Sequence, residues 1–320
     1  MSEWMEQRPQ SEREWKIIEG LLMESYKEQK RARRWGIVFK LLTFAYLFVL
    51  LVLFAQGMSP AGGLVHGPHT AVVDIKGVIA EDEDANADAI VAGLRDAFEA
   101  ENSVGIVLRI NSPGGSPVQA GYVYDEIRRL RALYPEKKVY AVISDLGASG
   151  GYYIAAAADE IYADKASLVG SIGVTAAGFG FHEAIRKLGI ERRNFTSGEH
   201  KLFLDPFSPL KEEEVTFWRE VLQTTHKQFI EQVRKGRGER LNETPELFSG
   251  LIWTGEQALK LGLVDGLGSA GYVAREVIGE EQIVNYTPRP DPFQELVSKL
   301  GASLGEGAIR ALGQATLQLR

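Results

Sequence analysis

Residues 139–160 read VYAVISDLGASGGYYIAAAADE, and this stretch decides the fold. Val139–Ser144 is dominated by β-branched and aromatic side chains, a strand signature. The chain then turns through Leu146–Gly147 and enters an alanine-rich segment expected to be helical over 150–158. A strand that feeds a helix through a glycine turn is the working unit of a layered α/β protein, and the pattern recurs upstream. Thr70–Ile79, TAVVDIKGVI, reads as a strand and 85–100 as an acidic, alanine-rich helix. Gly105–Ile110, GIVLRI, reads as a second strand that stops at NSPGG, where proline and paired glycines force a turn. A helix is expected over 118–133, short strands near 160–164, 174–179 and 191–196, and helices over Lys211–Lys235, 255–261 and Ser269–Ile278. Helical spacing returns over Asp291–Leu319, weakened by glycines. No repeat of solenoid length is present.

Ahead of this α/β region lies a different kind of chain. Leu41–Ala55, LLTFAYLFVLLVLFA, carries no charge, and IVF precedes it across Lys40, whose alkyl stem can lift the ammonium to the headgroups. Ile37 to Met58 is therefore expected to span a membrane. Lys27, Lys30, Arg31, Arg33 and Arg34 stand directly before it with no matching cluster directly after, so the N-terminus is expected in the cytoplasm and the remainder outside. Cleavage as an export signal is the competing reading, since the run ends in FAQG; the leader of about forty residues is long for one and lacks a clean A-x-A site. Residues 10–34 fit either an amphipathic helix on the inner leaflet or a solvated juxtamembrane helix. The expected organisation is a basic segment 1–36, a span 37–58, a linker 59–69, an α/β domain 70–280 and a C-terminal extension 281–320.

Composition narrows the function. Among 320 residues, 43 are acidic and 36 basic, giving a net charge of −7, which argues against an electrostatic grip on nucleic acid. No cysteine is present, which excludes disulfides, zinc-thiolate sites, iron–sulfur ligation and thiol nucleophiles. The GKS or GKT of a phosphate-binding loop is also missing from the glycine turns.

Ser149 is the sharpest candidate for chemistry. It falls between strand and helix, where free backbone N–H groups can stabilise an oxyanion; equally, it can cap the helix, with Gly150 and Gly151 serving only close packing. The turn at Asn111–Pro117 can bring Gly114 or Gly115 amides to the same carbonyl oxygen, or can be a plain βα connection. A serine nucleophile needs a base. None of the five histidines, at 66, 69, 182, 200 and 226, has a spacing that compels a serine–histidine–aspartate set. Lys201 is another solution: buried among Leu202 and Phe203, it would sit as a neutral amine able to take the serine proton, whereas on an open turn it is an ordinary surface lysine.

Taken together, NSPGGSP at 111–117, SDLGASGGYYIA at 144–155, VGSIGV at 169–174, SGEHK at 197–201 and TGEQALKLGLVDGLG at 254–268 resemble the signal peptide peptidase A family. This is a group of membrane-anchored bacterial Ser/Lys peptidases of the Clp protease/crotonase superfamily. The resemblance covers about residues 70–280. It implies an α/β spiral of β-β-α units behind one transmembrane helix, Ser149 as nucleophile, Lys201 as general base, Ser171 holding the lysine, and Gly115 and Gly150 as oxyanion donors with Gly114 a competitor. It also implies a bacterial cytoplasmic-membrane location with an extracytoplasmic catalytic domain, and hydrophobic unstructured substrates, remnant signal peptides among them. No metal or organic cofactor is implied. One Ser-bearing and one Lys-bearing segment match the short form of the family, expected as a ring of about eight copies with the dyad shared between neighbours. Two other classes compete: an inactive membrane scaffold, which would not need both Ser149 and Lys201, and a crotonase-like acyl-CoA enzyme, which would need neither.

Overall fold

Strands of β-branched residues buried on both faces organise the globular part of the chain. The computed structural model describes residues 12–57 and 67–288, which fall into two separate units. The first is one helix, α1 (Glu12–Gly57), 46 residues and about 69 Å long at 1.5 Å per residue. Leu22–Val52 within it is long and apolar enough to cross a membrane, and its side chains are exposed, Phe44 by 71% and Phe48 by 66%.

In the second unit the elements run β1 (His69–Lys76), α2 (Ala87–Glu99), β2 (Ser103–Ser112), α3 (Pro117–Leu133), β3 (Val139–Ala148), α4 (Gly150–Ala155), β4 (Glu160–Ala163), β5 (Leu168–Gly170) and α5 (His182–Lys187). They continue as α6 (Glu212–Arg237), β6 (Ile252–Thr254), α7 (Gly255–Lys260), β7 (Gly266–Leu267), α8 (Ala270–Tyr272, prolonged by a π-helical turn to Ile278) and β8 (Ile283–Asn285). The sheet order is β6-β5-β3-β2-β1-β8, parallel except for the β5–β6 pair. β3 serves two neighbours: Tyr140–Ile143 pair with β4, and Leu146–Ala148 pair with β5. The partner changes where the register between β2 and β3 shifts, after Ile110.

Period-2 alternation divides the strand side chains between two cores. Ala71, Val73, Ile75, Ile106, Leu108, Ile110, Ala141 and Ile143 face α2 and α3, whose Leu94, Phe98, Val123 and Ile127 are fully buried. Val72, Val107 and Val142 face the other way, onto Val273. Helix starts are defined by side chains: Asn86 accepts from the Ala89 amide, and Ser116, just past the glycine turn, accepts from Gln119 with Pro117 in the first helical position.

Several expectations need correction. The strands expected near 174–179 and 191–196 are not formed; these residues are irregular and nearly all exposed. Valine and phenylalanine favour strands only where a neighbour offers a ladder and a face to bury, and Gly178 and Gly180 weaken the case further. A short strand forms instead at β6. The first strand ends at Lys76, where Gly77 takes φ 85°, and the helix after Ser149 ends at Ala155, the alanines beyond forming tight turns. The sheet extends to β8, within the 281–320 segment. The helix expected over Asp291–Leu319, and most of the 59–69 linker, lie outside the described residues.

Candidate active site

Ser149 ends β3 and begins α4 with φ 51° and ψ −122°, a conformation that side chains rarely adopt. Its amide donates to the Gly170 carbonyl at 2.8 Å and its carbonyl accepts from Tyr153, but its hydroxyl makes no capping hydrogen bond. The backbone is thus fixed while the side-chain oxygen is left uncommitted. That is the opposite of a capping serine, which uses its hydroxyl and keeps an extended backbone.

The Asn111–Pro117 turn packs directly on it. A Cβ at Gly114, φ 96°, would fall 2.6 Å from both Ser149 Cβ and the Gly150 nitrogen, and one at Gly115 would fall 2.1 Å from the Ile79 carbonyl oxygen. Only hydrogen fits at either place. The Gly114 amide donates to Ser112 Oγ at 3.1 Å and is engaged. By contrast, the Gly115 and Gly150 amides have no acceptor among the described residues, and a Cβ on Gly150 would lie 3.3 Å from the Gly115 nitrogen. Two unpaired N–H donors therefore sit together beside the Ser149 hydroxyl.

Gly115, Ser149, Gly150 and Ser171 all line one cavity of about 590 Å³. Ser171, like Ser149, has positive φ, 50°, and donates its amide to Leu251. The cavity also meets an aromatic surface: the Tyr153 ring is 5.0 Å from Phe229 of α6 and 5.5 Å from Tyr124. Burial, chiefly, pushes the Tyr153 phenol up, so it is neutral at physiological pH.

Lys201 is not brought to this cavity. It is exposed on a turn closed by its own amide to Gly198, and Leu202 and Phe203 shield themselves rather than the lysine. That turn is fastened to the start of α6: Leu204, φ 55°, donates to the buried Glu214 carboxylate at 3.2 Å, and Phe203 packs edge-on against Phe217 and Trp218. Farther along α6, the His226 ring reaches the Ile172 carbonyl beside the cavity. Glu214 and His226 are separated by about 18 Å of helix axis, more than a lysine side chain can cross. None of the four described histidines lines the cavity, so Ser149 has no histidine partner among the described residues. His69 binds Tyr286, His182 lies beside Glu183, His200 lines a separate cavity near Phe203, and His226 bonds Ile172.

Sequence reasoning did not find Tyr153, Phe229 or His226. The first two fall inside expected helices with no motif around them, and nothing in the linear order brings α6 against residues 171–174.

Comparison with known proteins follows the same residues. A family model described as peptidase family S49 matches residues 131–283, spanning Ser149, Ser171 and Lys201. A putative protease of Synechocystis sp. is 32% identical over 199 residues, 62% of this chain and 69% of that protein. A putative signal peptide peptidase SppA of Enterococcus faecium is 31% identical over 204 residues, 61% of this chain and 59% of its own. A Brucella abortus protein named Na(+)/H(+) antiporter NhaA is 46% identical over 188 residues. Those residues are 59% of this chain but only 25% of that protein.

Proposed function

The chain belongs to peptidase family S49, and from that premise we propose that it is a membrane-anchored serine endopeptidase in which Ser149 attacks and Lys201 is the base. The observation that carries the reading is the strained, fixed backbone of Ser149 with its free hydroxyl beside two unpaired amides, those of Gly115 and Gly150. Strain of this kind persists where surrounding structure enforces it, and it aims the oxygen at the cavity.

In the proposed reaction the Lys201 amine takes the Ser149 hydroxyl proton as Oγ bonds to the substrate carbonyl carbon. The carbonyl oxygen gains the negative charge and accepts hydrogen bonds from the Gly115 and Gly150 amides. Collapse breaks the peptide C–N bond, the lysine proton passes to the leaving amine, and an acyl-Ser149 ester remains. Water, deprotonated by Lys201, attacks the ester and releases Ser149. Ser171, in the cavity wall beside Ser149, orients the lysine.

Because Lys201 is remote from Ser149 in its own chain, the base comes from a neighbouring copy. The exposed apolar side chains of the Lys201 segment, Phe179 at 81%, Leu188 at 73% and Phe195 at 93%, favour such self-association, and a ring of about eight copies is the arrangement we propose. We propose the Clp protease/crotonase spiral as the fold, with the anchor over 37–58 and the peptidase domain over 70–280 completed by β8 from the 281–320 segment. The basic cluster before the anchor favours a cytoplasmic N-terminus and a catalytic domain outside the bacterial cytoplasmic membrane. Substrates are extended, unstructured peptides with an apolar side chain for the Tyr153–Phe229 surface, remnant signal peptides among them.

The test is turnover of an unstructured peptide panel that includes signal-peptide sequences, by full-length protein in detergent and by Ser149→Ala. Cleavage by the unmodified protein alone is expected. Equal cleavage by both would remove Ser149 from the reaction, and no cleavage by an assembled sample would refute the peptidase reading.

A further inference from the structure

Residues 170–172 connect the cavity wall to Ser149, and each is tied down by one hydrogen bond. The Gly170 carbonyl receives the Ser149 amide at 2.8 Å, the Ser171 amide reaches the Leu251 carbonyl at 2.8 Å, and the Ile172 carbonyl receives His226 Nε2 at 3.0 Å. The first two ties are backbone to backbone and survive any side-chain change. The third is made by a single side chain, half-buried on α6, whose neighbours Thr225, Gln228 and Phe229 line the same cavity. A carbonyl oxygen only accepts, so the imidazole carries its proton on Nε2.

We infer that His226 is a positioning residue for the proposed Ser149 site, holding the Ile172 carbonyl so that Ser171 keeps its left-handed backbone and its place in the cavity wall next to Ser149. This rests on the peptidase reading above and adds to it a residue that makes no contact with substrate. Ser171 at φ 50° has no intrinsic preference for that backbone. Its flanks must enforce it, and the flank on the far side from Ser149 is anchored by the imidazole. Release of that anchor lets the 171–174 wall relax, and small displacements of an orienting group slow the chemical step more than they weaken substrate binding.

The experiment compares His226→Leu, which fills the space without a donor, with His226→Gln, which restores an N–H at similar reach. Both are made in the full-length protein in detergent. Steady-state kinetics use peptides cleaved by the unmodified protein, and amide hydrogen exchange is followed by mass spectrometry over residues 168–175 and, as reference, 139–148. The Leu variant is expected to lose kcat by roughly 10- to 100-fold with KM within about 2-fold. It should exchange faster over 168–175 only, and the Gln variant should recover protection there and kcat to within about 3-fold of the unmodified protein. Unchanged kcat and protection in the Leu variant would overturn the inference, as would faster exchange across both segments. A Gln variant with protection restored but kcat as low as Leu would also overturn it, since the imidazole would then act by some other route. If the unmodified protein cleaves nothing, the peptidase reading fails on its own terms, while the exchange comparison still decides whether His226 holds this segment.

Discussion

The Ser149 side and the Lys201 side of the chain are built on opposite principles. Around Ser149 everything is dense: β3 is paired on both sides over Tyr140–Ile143 and again at Gly147, and glycines bring backbone against backbone. Around Lys201 the chain from 174 to 211 has little regular structure, α5 has no buried residue, and Phe195 is 93% exposed. A nucleophile must be held at one angle to a carbonyl, which requires a rigid frame. Under the proposed reading, a base supplied by another copy would have its position set by how that copy docks, and the exposed apolar side chains of its segment would serve that contact.

The sharpest way to break this contrast is subunit mixing. Ser149→Ala and Lys201→Met should each lower peptide cleavage by roughly 1000-fold or more, and co-assembled mixtures of the two should regain activity, because a wild-type serine then meets a wild-type lysine on another chain. Mixtures that assemble and stay inactive would place both groups in one chain.

Stability should divide along the same line. The guanidinium of Arg237, 1% exposed, is bidentate to Asp265, which also accepts from the Ile161 amide. Arg237→Ala leaves that carboxylate with only the more exposed Arg240 as a charge partner and should cost about 3 kcal/mol in denaturant unfolding. Burial works to raise the Asp265 carboxyl, but hydrogen bonding and charge from Arg237 outweigh it and hold it below 3.8. Stability from this group is therefore complete above 3.8 and is lost as pH falls through that value toward the lower folded one. Asp265→Asn should flatten the acid limb of a melting-temperature profile.

Gly115→Ala, which forces a methyl into the Ile79 carbonyl, should cost about 1–3 kcal/mol and reduce kcat. On the Lys201 side, Glu214→Ala should cost about 1 kcal/mol while lowering kcat about 5-fold through the loosened turn at Leu204, and Glu214→Gln, still an acceptor, should recover most of it. The smallest change is expected for Phe195→Ser. Unfolding should shift by no more than about 0.5 kcal/mol, while sedimentation should show weaker self-association. A large loss of stability there would mean that the segment packs on its own chain after all.

The same two regions explain which features the sequence announces. The strands β1, β2 and β3 and their helices follow from local pattern because they pack chiefly on elements near them in the chain, and the membrane-length run follows from its unbroken apolar composition. Ser149 and the glycine turn stand out because proline, paired glycines and a strand end coincide. Strands expected at 174–179 and 191–196 fail because a strand also needs an edge to pair with, which no local pattern supplies. Of the two environments that the sequence allows for Lys201, the structure gives the open turn: Phe203 packs on Phe217 and Trp218 of α6, and the lysine is left exposed. His226 acts through a carbonyl 54 residues away, invisible to any window of sequence.

The pairing of β8 with β1 carries a further consequence, for the birth of the molecule. Ile283–Asn285 lie alongside Thr70–Val72, so the first strand made is flanked on its outer side by the last. While the chain is still being synthesised, β1 presents a row of open N–H and C=O groups to its surroundings, and parallel pairing across more than two hundred residues is slow. A chain that stops before Ile283 keeps that edge permanently. Such fragments should aggregate or be degraded even though every group proposed for catalysis is present in them.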